Sequence, residues 1–256
     1  MSAVAVLDFH ARLGPAPGAT ATLLAAMDGA GIGLAAVGAG GLVGLDQLSR
    51  LVVDGGRAEA GADNEAVHRA CAGSGGRLLP FFFADPARDV DAYAAAATRF
   101  RGLELSPAVH GFRFDDPAVA TLAEIATTVR HPVYVVCLGR DGTRTADLLA
   151  LARRFPAVTF VHGHCGFTGL DADGLTLIAA QPNIVVETSG CFTAIARLAV
   201  ARLGPGRVVF GTEFPLQDPR VELAKLAALG LGPDHLAMVA GGNAARLLGL
   251  LEGVGA

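Results

Sequence analysis

The chain has no tryptophan, only two tyrosines and little charge, with Asp, Glu, Lys and Arg together making up 17% of its residues. Without tryptophan, aromatic stacking is a poor prospect as the main way of holding a ligand. Disorder requires low hydropathy and high net charge, the reverse of this composition. No apolar run approaches the roughly 18 uncharged residues that a membrane-spanning helix needs. The opening MSAVAVLDFH carries no basic start and no cleavage site of the export kind, and reads as a buried strand. There is no basic tract either: 20 Lys and Arg stand against 24 Asp and Glu for a net charge of −4, so nucleic acid is not an expected partner. The cysteines, Cys71, Cys137, Cys165 and Cys191, form no CxxC pair and no framework spacing. They are expected to be free thiols in a cytoplasmic protein.

What remains is an apolar chain, 52% hydrophobic over 256 residues, close to the roughly 250 that one α/β barrel takes. Parallel strands buried on both faces use such an excess. Short β-rich runs recur at Val4–Asp8, Ile32–Val37, Arg77–Phe83, Leu103–Leu105, Val133–Cys137, Val158–His162, Ile184–Glu187 and Val208–Phe210. Helical patterns fall at 20–31, 90–101, 118–129, 143–155, 170–180, 192–203 and 221–229. Eight strands alternating with helices predict a single (β/α)8 barrel, residues 1–256, with parallel pairing and right-handed crossovers. The rival is a doubly wound open sheet, which announces itself with a glycine-rich phosphate loop after its first strand. Here HARLGPAPG follows instead. The barrel is the better reading. Residues 38–76 are rich in Gly and Ala and are expected to hold one longer helix and an excursion over the barrel mouth. The tail GGNAARLLGLLEG reads as a final helix capped by Asn243.

The polar residues gather at strand ends. The first strand ends Asp8-Phe9-His10-Ala11-Arg12, and two-residue spacing predicts that Asp8, His10 and Arg12 share a face. Glu104 lies on the fourth strand and Cys137 ends the fifth; His162-Gly163-His164 end the sixth, Glu187-Thr188-Ser189 the seventh and Thr212-Glu213 the eighth. In a barrel these ends meet at one mouth, where barrel enzymes keep their sites. His68, His110, His131 and His235 read mostly as surface residues, with His110 the one that could reach the mouth.

Several motifs together resemble one family. VLDFHARLG is similar to an opening Asp-x-His-x-His strand, and LLAAMDGAGI to the helix that follows it. FRGLELSPAVHGFRFDDP, HPVYVVCLG, FPAVTFVHGHCG, PNIVVETSG, RVVFGTEFP and GNAARLLGL match later landmarks in order. The whole resembles the decarboxylase-like branch of the metal-dependent amidohydrolases, nearly end to end. The resemblance implies a divalent metal held by two first-strand histidines, a fifth-strand His and an eighth-strand Asp, with a sixth-strand His beside it.

Here His10 and His164 are kept, while Arg12, Cys137 and Glu213 stand at the other positions and Glu104 replaces the family's frequent fourth-strand Lys. Zinc on His10, Cys137, His164 and Glu213 is chemically acceptable. A guanidinium about 4 Å from a divalent ion, however, costs roughly 8 kcal/mol at an effective dielectric of about 20. A metal-free site is therefore favoured over a zinc site. The expected activity is hydrolysis or carbon–carbon lyase chemistry on a small carboxylate- or carbonyl-bearing substrate. His10, Arg12, His164 and Glu213 would do the chemistry, with Glu104, Cys137, His162 and Glu187 binding substrate and Asp8 orienting its neighbours. Arg12 would grip a carboxylate or oxyanion, and His164 would act as general acid or base. A zinc-dependent hydrolase, an inactive barrel serving as a binding or scaffold subunit, and a nucleophilic Cys137 or Cys165 are the alternatives. A homodimer is the oligomer the family suggests.

Overall fold

The computed structural model describes residues 6–250, so Met1–Ala5 at the head of the expected first strand and residues 251–253 of the expected last helix lie outside it. Within that range the chain alternates strand and helix. β1 (Val6–Leu13) leads to α1 (Ala19–Ala30), and β2 (Ile32–Ala39) to α2 (Leu45–Asp54) and α3 (Asn64–Ala72). β3 (Leu78–Ala84) is followed by α4 (Val90–Ala96), β4 (Gly102–Leu105) by α5 (Pro107–His110) and α6 (Pro117–Val129), and β5 (Val133–Val135) by α7 (Thr145–Arg154). β6 (Phe160–His162), α8 (Ala172–Leu177), β7 (Ile184–Glu187), α9 (Thr193–Leu203) and β8 (Val208–Val209) follow. Helices α10 (Pro219–Ala228), α11 (Pro233–Ala237) and α12 (Asn243–Leu247) complete the chain.

The strands pair in sequence order, each parallel to the next. The ring closes through backbone bonds from β1 to the segment after β8: Phe9 N–H donates to Phe210 O at 2.9 Å, Glu213 N–H to His10 O at 2.8 Å and Arg12 N–H to Phe214 O at 2.8 Å. This is the (β/α)8 barrel that the strand–helix alternation predicts.

Two apolar layers follow from strand alternation. Leu7, Phe9, Leu79, Phe81, Tyr134, Val161, Val185 and Val209 point inward and fill the barrel, joined by Ala244 and Leu248 from α12 and the turn after it. Ala11, Leu13, Leu103, Leu105, Val133, Val135, Phe160 and Ile184 point outward against the helices. Above the inner layer the strand ends exchange hydrocarbon for polar side chains, and the site begins there.

Residues 38–76 hold two helices rather than one long one. α2 is amphipathic: Leu48 and Val52 face the mouth while Asp46 and Arg50 face solvent. Its C-terminal carbonyls are held from across the barrel, where Arg140, after β5, donates from Nη1 to Leu51 O at 2.9 Å and Val52 O at 3.0 Å. A cation at a helix C-terminus also suits the helix dipole. α2 therefore roofs the mouth, fulfilling the expected excursion. Asn243 is not a cap, because α11 runs through a π-turn into α12 without a break. Its side-chain amide instead donates to Pro205 O at 2.7 Å and Val208 O at 2.8 Å.

His131 and His110 are buried, not superficial. His131 Nδ1 lies 2.8 Å from the Tyr93 hydroxyl, and burial pushes its pKa down to about 4. The unfolded chain, with an ordinary imidazole near 6.5, takes up a proton that the folded chain refuses. Folding stability is therefore expected to fall as pH drops from about 6.5 to 4, by up to about 3 kcal/mol from this residue. Denaturant midpoints measured across that range should decline in the wild type and less steeply in His131→Gln.

Candidate active site

His10 and Arg12 reach the mouth because β1 changes phase. Phe9 points inward and Ala11 outward, with a register shift between Asp8 and Ala11 in the pairing with β2. Phe9 and His10 thus both turn inward, and Asp8 drops out of the predicted shared face. Its carboxylate accepts from His10 N–H at 3.0 Å, Thr212 N–H at 2.9 Å and Thr212 Oγ1 at 2.5 Å. Asp8 is a tie between β1 and the end of β8, and burial raises its pKa to about 6.

At the centre lies the Arg12 guanidinium. It donates from Nε to Glu213 Oε1 at 2.9 Å, from Nη2 to Glu104 Oε1 at 2.5 Å and from Nη1 to Ala39 O at 3.2 Å, and its Cζ lies 5.3 Å from the Phe83 ring centroid. Three of its five N–H groups are thereby used. His10 stacks on Tyr134 at 3.9 Å, with Nδ1 against Glu213 Oε2 and Nε2 3.4 Å from Glu104 Oε1. Burial pushes the His10 ring toward neutrality, but Glu213 and Glu104 outweigh both that and Arg12, and its pKa rises to about 10. Burial likewise favours neutral carboxyls. His10 and Arg12 nevertheless hold Glu213 well below the usual carboxylate range, and Arg12 and His10 lower Glu104.

His164 enters by a different route. Strand alternation turns His162 outward, where its Nε2 lies 3.0 Å from Thr145 Oγ1, and β6 then ends. His164 adopts left-handed backbone angles, φ 58°, which take it out of the strand pattern and bring its ring inward. Glu213 does the same at φ 56°. Such angles are costly for residues other than glycine, and they gather at functional sites. His164 Nδ1 lies 3.2 Å from Ser189 O and 3.0 Å from Ser189 Oγ. A carbonyl can only accept, so the proton sits on Nδ1 and the Nε2 lone pair is left for the site.

Glu187 orders this half from below. It accepts from Tyr134 OH at 3.0 Å, Ser189 Oγ at 2.9 Å, His164 N–H at 3.2 Å and the Ser189 amide. A Cβ on Gly211 would overlap Glu187 Oε1, so the carboxylate needs glycine beside it. Gly211→Ala is expected to displace Glu187, release Ser189 and His164, and cost about 1–3 kcal/mol of stability by overpacking. Thermal melts, together with the His164 ring signals in an NMR spectrum, would register both effects.

Of the other predicted residues, Cys137 lines the cavity wall, but burial pushes its thiol well above its usual pKa. Among the described residues the donor atoms that converge are those of His10, His164 and Glu213, all within 4.8 Å of one another, and Cys137 is not among them. The predicted four-ligand zinc set is therefore not assembled. A thiol held protonated is also a poor nucleophile. Cys165 faces away, buried in the outer layer. Glu104 and Glu187 lie beneath the floor and His162 behind the wall, so none of the three lines the cavity where substrate would sit. Tyr134 was missed. Its inward position was readable from the alternation of HPVYVV, two residues before Val136 on the wall.

The sequence model of the family described as Amidohydrolase matches residues 8–250. The chain belongs to the amidohydrolase family. No curated protein matches it by sequence. The fold is shared with solved amidohydrolase-type barrels. It is 16% identical to 2,6-dihydroxybenzoate decarboxylase from Rhizobium, over 96% of this chain and 99% of that one, with a TM-score of 0.70. A 5-carboxyvanillate decarboxylase from Novosphingobium aromaticivorans, solved with manganese and a nitrobenzoic acid, is 14% identical over 96% of each chain, with a TM-score of 0.69. An uncharacterised barrel protein from Bordetella bronchiseptica gives a TM-score of 0.73 at 18% identity, covering 95% of this chain and 98% of that one.

Unsatisfied donor atoms show whether an amidohydrolase metal suits these residues. His10 Nδ1 and Glu213 Oε2 are buried with no hydrogen-bond partner beyond their contact with each other, and His10, His164 and Glu213 each offer a donor atom within 4.8 Å of the others. A divalent ion there would satisfy them, taking the place of the proton that His10 otherwise carries. The objection drawn from the sequence treated Arg12 as a bare positive charge, whereas Glu104 and Glu213 already pair with it. The donor set fits a divalent ion. No described helix is long and apolar enough to cross a membrane.

Proposed function

We propose that this chain is a decarboxylase-like lyase that removes the carboxylate of a small organic acid, with a divalent ion held by His10, His164 and Glu213. The observation that carries the reading is the distribution of charge in the mouth. Among the described residues, a cavity of about 550 Å³ is lined by the charged pair Arg12 and Glu213 and by the His164 imidazole, against otherwise largely apolar walls. Such a cavity favours a substrate with one anionic head, and the desolvated walls strengthen every charge–charge contact at the floor.

Arg12 has two N–H groups left to grip a carboxylate, and its three bonds to Glu213, Glu104 and Ala39 fix its plane. Ser189 holds His164 so that Nε2 faces the floor, and Tyr134 packs the His10 ring in place. A divalent ion in this position would polarise a bound oxygen as a Lewis acid. In the reaction the carbon–carbon bond to the carboxylate breaks, carbon dioxide leaves, and the electron pair left on carbon takes up one proton. With the His164 lone pair and both Glu213 oxygens engaged, that proton comes from water in the mouth, whose hydroxide the released carbon dioxide takes up as bicarbonate.

A second reading has its own observation: Arg12 sits between Glu104 and Glu213. The proton on His10 would then stand in place of an ion, and His164 would carry the proton to carbon. The proposal is tested by incubating the protein, with and without added manganese or zinc, with a panel of aromatic and aliphatic carboxylic acids and measuring carbon dioxide. Release stimulated by the ion supports the lyase with its metal. Equal release with and without it supports the second reading. Turnover only of esters or amides, with no carbon dioxide, would replace the lyase by a hydrolase. Failure of every substrate class would favour a binding subunit.

A further inference from the structure

We infer that the acid this site takes has an extended, apolar body free of hydroxyl or other polar substituents, lying beneath α2. This builds on the reading of the floor as a carboxylate site and adds what the rest of the cavity demands. A cavity of about 550 Å³ falls in the range of roughly 300–1,000 Å³ that encloses drug-sized ligands, so a single small ring would leave part of the wall without a partner.

The wall above the charged floor is hydrocarbon. Phe83, Val109, Leu138 and Phe167 contribute from the strand ends and loops, and Leu48 and Val52 from the roofing helix. The neutral hydroxyls on this wall are Ser106, itself buried, and Thr168, exposed at the rim. A hydroxyl carried on the far end of a substrate would be stripped of water with almost nothing to bond, a cost that hydrocarbon does not meet. The roof is fixed in place by Arg140, whose bonds to Leu51 and Val52 keep the apolar face of α2 turned into the cavity. Leu45 and Leu216, both lining the cavity and both largely exposed, extend the same chemistry to the entrance.

Calorimetric titration of the metal-loaded protein with hexanoate, octanoate and decanoate, and separately with benzoate and 3,5-dihydroxybenzoate, whose hydroxyls lie away from the carboxylate, tests this. Each added methylene is expected to tighten binding about fourfold, equivalent to about 0.8 kcal/mol. The two hydroxyls should weaken binding about tenfold relative to benzoate. Leu48→Asn should flatten the chain-length series, while Leu48→Met should keep its slope. A flat series in the wild type, or dihydroxybenzoate binding as tightly as benzoate, would overturn the inference. The lyase reading can fail separately. A steep series with no carbon dioxide from any acid would sink the reaction but not the apolar specificity. Decarboxylation of hydroxylated acids alone would do the reverse.

Discussion

Arg12→Met should lower folding stability by about 3–5 kcal/mol, one of the two largest effects expected of any single substitution here. Glu104 is fully buried, and its Oε1 takes its shortest bond from the Arg12 guanidinium. Removing that cation leaves a desolvated carboxylate whose remaining polar neighbour, His10, lies 3.4 Å away. Glu213 loses its Nε–H donor at the same time. The penalty is thus for an orphaned charge and not for a lost attraction, a distinction that a second variant makes visible. Arg12→Met combined with Glu104→Met should recover most of the loss, because an apolar pair in a buried site is often as stable as the ion pair it replaces. Guanidinium unfolding midpoints of the two single variants and the double variant would measure the coupling. Additive losses would show that the two side chains do not act as a pair.

Glu213→Gln is the second. It keeps the side chain's size while removing the charge that meets Arg12, His10 and the proposed ion. Loss of one preorganised electrostatic group typically costs about 10²–10³ in rate, and the rate of carbon dioxide release from a good substrate is expected to fall within that range. Arg12 retains Glu104, so the fold should survive. His164→Asn should cost a similar factor, since it deletes the Nε2 lone pair that Ser189 directs into the site. Full activity in both variants would remove this floor from the reaction.

The barrel was legible in the chain because strand and helix periods alternate cleanly eight times, and each strand carries enough apolar residues to be buried on both faces. The convergence of His10, Arg12, His164 and Glu213 was legible as well, since strand ends in a barrel have one place to go. The details depended on backbone departures that periodicity cannot express. A register shift in β1 separates Asp8 from His10. Left-handed angles at His164 bring it inward and leave His162 behind against Thr145. Two-residue spacing in HGH therefore predicted a shared face that the chain does not have. Cys137 was assigned by its place in a motif. Alternation along β5 instead turns Tyr134 and Val136 inward, and the Cys137 thiol stays outside the cluster of His10, His164 and Glu213. Arg12 read alone repels a metal, whereas Arg12 held between Glu104 and Glu213 does not.

The converging donors of His10, His164 and Glu213 are the centre of this picture. Protein stripped with chelator and titrated with manganese, or with zinc, should take up one ion per chain and melt at a higher temperature for it, and His164→Asn should lose both effects. Wild-type protein that takes up no ion, and whose melting temperature no divalent metal moves, would contradict it and leave the floor to Arg12 and the protonated His10.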